Sequence, residues 1–222
     1  MEDHKQPTPY YPIMVRLEGR PCVVVGGGNV GWRKIAGLLR CGAAVTVVAP
    51  EAIEPIRDAA AEGRLAWKRR TFLPEDAAGA SFVFAATSDA ETNARICEAA
   101  ARVGALANAA GAAEEGDFIV PSSVRRGRFT IAVTTGGASP TLARRMAGEL
   151  AKRYGEEYAA YMDILFKLRK RILESPSPAE EKRRRLKALA SINIVGQLQG
   201  GKSADDAALC AWTALNSEEG GV

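Results

Sequence analysis

Histidine is almost missing from this 222-residue chain: the one instance is His4, in a polar, proline-rich N-terminal stretch. The folded body therefore works without an imidazole base, which excludes a Ser-His-Asp triad and a histidine-based metal site within one chain. Aromatic residues are scarce, at 6%. A core of small aliphatic side chains suits tight helix–sheet packing better than a deep aromatic-lined pocket. None of the four cysteines (Cys22, Cys41, Cys97, Cys210) lies in a C-x-x-C pair. They read as small buried hydrophobes in a reducing compartment, not as a disulfide frame or a zinc site, and no metal is expected. No run approaches the roughly 20 apolar residues of a membrane span, and residues 1–12 lack the apolar centre of a signal peptide. The expectation is a soluble, cytoplasmic protein with no membrane partner. Strong charge is absent as well, the net value being +4. The clusters Arg125, Arg126, Arg128 and Lys182 to Arg185 lack interleaved aromatics, so nucleic acid is not an expected partner. The second cluster reads as a solvated helix face.

What is present is a repeating alternation. Pro21 to Gly26, Ala44 to Ala49 and Ser81 to Ala86 are short β-branched or apolar runs that read as buried strands, and Leu65 to Arg69 reads as an edge strand. Helical spacing fills the gaps: Val30 to Arg40, Glu51 to Ala61 and Asp89 to Val103, with Gly42, Gly63 and Gly104 as stops. Leu106 to Asn108 is a last short strand. This order predicts βαβ units on a parallel sheet, an α/β Rossmann domain over residues 1–113. Then the pattern changes. Asp117 to Val124 and Arg128 to Thr134 predict a hairpin, and Ser139-Pro140 opens a helix whose apolar spacing runs through Leu142, Met146, Leu150, Tyr154, Tyr158, Met162, Leu165 and Leu168. Segments 179–199 and 203–214 read as further helices after a Ser-Pro-Ser-Pro linker. The expected division is a dimerisation segment over 114–150 and a helical C-terminal domain over 151–222. The stripe from Leu142 to Leu168 needs a partner surface, which predicts a homodimer.

The sharpest motif is Gly26-Gly27-Gly28-Asn29-Val30-Gly31, a G-x-G-x-x-G between a strand and a helix. Gly26 permits the tight turn, Gly28 lets backbone approach a pyrophosphate, and Gly31 lets the helix pack close to the strand. The helix N-terminus offers unpaired N–H groups to phosphate. Ribose recognition calls for an acid at the end of the second strand. Here the strand ends at Pro50, and Glu51 either binds the ribose or sits in the first turn of the next helix. No arginine follows this strand end to meet a 2′-phosphate, which favours NAD over NADP. Thr87, at the end of the strand 81–86, is placed to meet cofactor, whereas Ser88 or Asp89 reads as a helix cap. Thr134 to Pro140 combines hydroxyls, Gly136, Gly137 and a helix N-terminus followed by Arg144 and Arg145. It is either a second anion site or an ordinary capped helix. Two further readings stand beside an NAD-dependent oxidoreductase of a large polyanion: a non-catalytic NAD sensor, and an oxidoreductase of a smaller acid.

Several of these segments together resemble the precorrin-2 dehydrogenase module, which occurs alone or within sirohaem synthases. They are Tyr11-Pro12-Ile13 and Leu17, Gly26 to Gly31 with Arg33-Lys34, Val45 to Pro50, Ala85-Ala86-Thr87 with Asn93, Asn108, Phe118 to Ser122, and Thr135 to Pro140. The resemblance covers about residues 10 to 170. It implies a Rossmann domain, a dimerisation segment and a helical tail in an intertwined homodimer. It also implies NAD-dependent oxidation of precorrin-2 to sirohydrochlorin, with insertion of ferrous ion in some relatives. By position it puts Asn29, Val30, Pro50 and Glu51 on NAD, and Asn108, Thr135, Gly136, Gly137, Ser139 and Arg144 toward the tetrapyrrole. One departure stands out. The family pattern has an aspartate, the proposed acid/base group, three residues after the asparagine that matches Asn108. This chain has Gly111 there. The resemblance thus assigns no acid/base residue and weakens chelation first; Asp117 or Glu114 is the expected partial substitute.

Overall fold

The computed structural model describes residues 10–111 and 116–217, and the chain divides into two compact units between Val120 and Pro121. The first unit follows the alternation in the sequence. Strands β1 (Pro21–Val25), β2 (Ala44–Val48), β3 (Ala66–Lys68), β4 (Phe82–Ala85) and β5 (Leu106–Ala109) alternate with helices α1 (Asn29–Arg40), α2 (Glu54–Ala61) and α3 (Ala90–Arg102). A 3-10 turn, Pro74–Ala77, takes the place of a helix between β3 and β4. All pairings are parallel, in the order β3-β2-β1-β4-β5. The reversal between β1 and β4 is the switch point at which doubly wound sheets bind ligands.

Period-2 alternation along β1 sorts its side chains to two cores. Cys22 and Val24 join Val45, Val47, Phe82 and Phe84 under Ile35 and Leu38 of α1 and Ile56 of α2. Val23 and Val25 join Val83 and Ala85 under Ile96, Ala99 and Ala100 of α3. Ile35, Ile56 and Ile96 are fully buried, each contributing about 1.5–3 kcal/mol relative to exposure. The thiols fit this picture in part: Cys22 is buried, but Cys210 is exposed.

The second unit opens with the antiparallel hairpin β6 (Ser122–Arg126) and β7 (Phe129–Val133), closed by the two-residue turn Gly127-Arg128. The strand expected from Asp117 starts only at Ser122, because Asp117 and Phe118 are instead engaged along β5 of the first unit. The one long helix expected from Ser139 through Leu168 is instead two helices, α4 (Pro140–Arg153) and α5 (Glu157–Glu174). Gly155 is a weak helix former, and Tyr154 leaves helical geometry at φ −110, ψ 86. The break lets Tyr154 and Tyr158 both pack on Phe129, at 5.4 and 5.2 Å. The helix expected over 179–199 likewise divides into α6 (Ala179–Ser191) and α7 (Ile194–Gln199), where Asn193 caps the Gly196 N–H at 2.9 Å. Helix α8 (Ala204–Ser217) completes a core of Ile164, Leu168, Ile172, Leu189, Ile194, Ala207, Ala211 and Leu215. The basic run on α6 is not uniformly a solvated face. Arg185 is buried, with Nη2 donating to Asn216 at 2.7 Å, and Lys182 donates to the Leu173 carbonyl at 2.8 Å. Among the described residues no helix is long and apolar enough to cross a membrane.

Candidate functional site

The glycine turn after β1 is shaped by what a Cβ would strike. At Gly26, whose φ of +123 already disfavours any L side chain, a Cβ would collide with the Ala86 carbonyl beyond β4. At Gly31 it would collide with the Gly26 carbonyl, so α1 could not sit so close to β1. Gly27, a variable position of the motif, is as confined. Its Cβ would strike the Glu51 carbonyl, and its own carbonyl accepts the Ile53 N–H at 2.9 Å, fastening the loop after β2 to the turn. Gly28 is the exception, with nothing within 4 Å of its Cβ position. It is the N-cap of α1, makes no side-chain cap, and no acidic residue follows in the first turn. Gly28, Asn29 and Val30 are exposed. A helix N-terminus with open space before it and no carboxylate competing for its amides fits a pyrophosphate.

Pro50 and Glu51 are exposed beyond β2. Helix α2 begins at Glu54, so Glu51 lies in the loop and not in the first helical turn, which removes one of its two readings. An arginine does reach this corner, from the neighbouring strand. The Ala49 N–H donates to the Lys68 carbonyl at 3.2 Å, which aligns Arg69 with the end of β2. Trp67 Nε1 donates to the Ala49 carbonyl at 2.9 Å, and the Arg69 guanidinium lies 4.4 Å over the Trp67 ring. Its sequence neighbours are engaged elsewhere. Lys68 at 2.7 Å and Arg70 at 2.6 and 2.7 Å clasp Asp76, which also accepts the Leu73 N–H at 3.0 Å. Asp76 is 4% exposed. Burial pushes its pKa up, but the hydrogen bonds from Arg70, Lys68 and Leu73 outweigh that and hold it well below the usual carboxylate range.

At the end of β4, Thr87 is held by buried Asn93. The Thr87 N–H and hydroxyl donate to Asn93 Oδ1 at 3.1 and 2.8 Å, and Asn93 Nδ2 returns a bond to the Thr87 carbonyl at 3.2 Å. Asp89 caps α3 by accepting the Thr92 N–H at 2.8 Å; Ser88 is not the cap. At the end of β5, Asn108 is buried and its amide is engaged on both sides. Oδ1 accepts Lys34 Nζ at 2.8 Å, and Nδ2 donates to the Phe118 carbonyl at 2.8 Å. Burial lowers the Lys34 pKa, and Arg33 adds to the effect. Phe118 stands edge-on to Phe82 and Phe84. Asp117 lines the open side of β5, accepting the Ala107 N–H at 2.8 Å and donating its own N–H to the Ala107 carbonyl at 2.9 Å. Gly111 has φ +90 and open space at its Cβ position. A carboxylate there would have room but a strained backbone. Glu114 lies outside the described residues. Among the described residues no group of three or more His, Cys, Asp or Glu side chains could hold a metal ion.

In the second unit, Ser139 caps α4 by accepting the Leu142 N–H at 3.2 Å, with Pro140 at the first helical position. Thr135 Oγ1 accepts the Ser139 N–H at 2.9 Å, and Thr134 Oγ1 accepts the Gly136 N–H at 3.1 Å. Gly136 and Gly137 form an exposed turn, and Arg144 points outward with a 3.4 Å contact to Thr141. The hydroxyls thus shape the turn; the glycines and Arg144 form its exposed part.

A family model described as putative NAD(P)-binding matches residues 13–122. A precorrin-2 dehydrogenase of Priestia megaterium is 36% identical over 159 residues, covering 72% of this chain and 78% of that protein. A siroheme synthase of Nitrosospira multiformis is 39% identical over 179 residues, 79% of this chain but 38% of that longer protein. The solved structure of the precorrin-2 dehydrogenase SirC superposes with a TM-score of 0.71 at 34% identity, covering 81% of this chain and 89% of that one.

Proposed function

The chain belongs to the precorrin-2 dehydrogenase family, and we propose that it oxidises precorrin-2 to sirohydrochlorin with NAD as the hydride acceptor. The observation that carries this is the open, uncapped N-terminus of α1 at Gly28, in a turn whose other glycines are fixed by backbone contacts. When bound there, the dinucleotide supplies the acceptor for the hydride that precorrin-2 gives up along with a proton. The protein's own share is positioning. Amides at Gly28 to Val30 receive the pyrophosphate, Glu51 takes the ribose hydroxyls, and Thr87, fixed by Asn93, borders the cofactor. Holding a donor carbon against an acceptor can supply up to about 7–11 kcal/mol of the barrier. The product gains conjugation, so the reaction leans little on a strong base, in keeping with a folded body without histidine.

The turn Thr135 to Ser139, with Gly136, Gly137 and Arg144, is the part of the second unit suited to an acidic tetrapyrrole. Leu142 and Met146 on the outer side of α4, 37% and 42% exposed, support a homodimer formed by this unit. Gly111 offers no carboxylate, and Asp117 is committed to the edge of β5, so oxidation is the activity supported and chelation is weakened first. Purified protein given precorrin-2 and NAD without oxygen should generate the reduced-nicotinamide absorbance together with sirohydrochlorin, and added ferrous ion should leave that product unmetallated. Absence of nicotinamide reduction would contradict the assignment.

A further inference from the structure

Rossmann proteins tell the two nicotinamide dinucleotides apart at the end of the second strand, where an acid meets the ribose 2′-hydroxyl or an arginine meets a 2′-phosphate. In this protein both residues stand at that corner, by different routes. Glu51 comes from the loop after β2. Arg69 comes from across the sheet: Val48 pairs with Lys68 and the Ala49 N–H donates to the Lys68 carbonyl, so the residue just past β3 stands beside Ala49, ahead of Pro50 and Glu51. Its direction is fixed by Trp67, whose indole N–H is anchored on the Ala49 carbonyl at 2.9 Å and whose ring lies 4.4 Å beneath the guanidinium. Stacking a planar cation on a fixed ring lowers the entropy lost when it binds an anion and leaves its N–H edge for hydrogen bonds. The adjacent cations are unavailable, since Lys68 and Arg70 are both spent on buried Asp76. Arg69 is exposed and, among the described residues, makes no ion pair.

We infer that Arg69 reads the 2′ position of the cofactor's adenosine ribose and lets this protein take NADP as well as NAD; this rests on the nucleotide site proposed above. Glu51 serves the free diol of NAD. Arg69 offers a charge-assisted, two-pronged contact to the phosphate of NADP, a geometry that lysine, as a point charge, reproduces only in part.

Calorimetric titration of the full chain with NAD, NADP and, as a fragment probe, 2′,5′-ADP needs no tetrapyrrole and no turnover. All three are expected to bind. Arg69→Ala should lower the ratio of NADP to NAD affinity by about tenfold or more and weaken 2′,5′-ADP in parallel, and Arg69→Lys should recover part of it. The thermal midpoint of each variant shows that the fold is kept. Binding of NAD without NADP by the wild type would overturn the inference and leave the dehydrogenase reading standing. So would an unchanged affinity ratio in Arg69→Ala, which would mean that Arg69 only supports Trp67. Failure of every nucleotide to bind would remove both.

Discussion

The two units bury their strands very differently. In β1 and β4 eight of nine residues are buried, whereas in the hairpin β6–β7 one of ten is. The first unit closes its own core from both sides and holds its loop ends with internal bonds: Gly27 to Ile53, Thr87 to Asn93, Lys34 to Asn108. That is the arrangement of a pre-formed ligand edge, where little has to be ordered when cofactor arrives. The second unit has a self-contained core only among α5 to α8. Its hairpin and α4 bury Val124, Ala143 and Ala147 and leave Leu142 and Met146 outward, as a surface would if it were completed by a second copy.

That contrast can be broken at either end. The larger effect is expected at Asp76, where the first unit buries a carboxylate against two cations. Asp76→Asn should cost about 3 kcal/mol in denaturant unfolding, the low end for a broken buried pair because Lys68 and Arg70 remain partly hydrated. The pH dependence has a definite sign. The folded-state pKa lies below the unfolded value of about 3.9, so the stabilisation is complete above that value and is lost as pH falls through and below it. Wild-type stability should therefore fall on acidification below about pH 4, and Asp76→Asn should flatten that fall; equal slopes for the two proteins would mean that the clasp contributes nothing. The smaller effect is expected on α4. Leu142→Glu combined with Met146→Glu should change unfolding stability of the isolated chain by only about 0.5 kcal/mol, yet convert a dimer to a monomer in sedimentation. A wild type that already sediments as a monomer would remove the homodimer from the account.

Much of the first unit was legible in the chain, because buried parallel strands leave unbroken β-branched runs: Pro21–Val25 and Ala44–Val48 were readable to within a residue. The glycine turn was legible at Gly26 and Gly31, whose Cβ positions the backbone fills, but not at Gly27, which is confined by the distant Glu51 carbonyl. Features that depend on distant residues were not. Arg69 is invisible beside the end of β2 until β2 and β3 pair, and Lys34 meets Asn108 across 74 positions. Apolar spacing also misled at Tyr154 and Tyr158. It continues the helical stripe in the sequence, but the helix breaks at Tyr154 and Gly155 and both rings pack on Phe129. Asn108 shows the same limit for the site, because position alone marks it as polar at a ligand edge while the fold gives both ends of its amide to Lys34 and Phe118.

Gly28 offers the most direct test of the central claim. Its Cβ position is empty, so Gly28→Leu should fold with a thermal midpoint within a few degrees of wild type while filling the space in front of the α1 amides. Titrated with NAD, the wild type should bind and the variant should bind at least about a hundredfold more weakly. Equal affinity in the two proteins would mean that the pyrophosphate does not rest at this helix end, and the oxidation assigned to the chain would lose its footing.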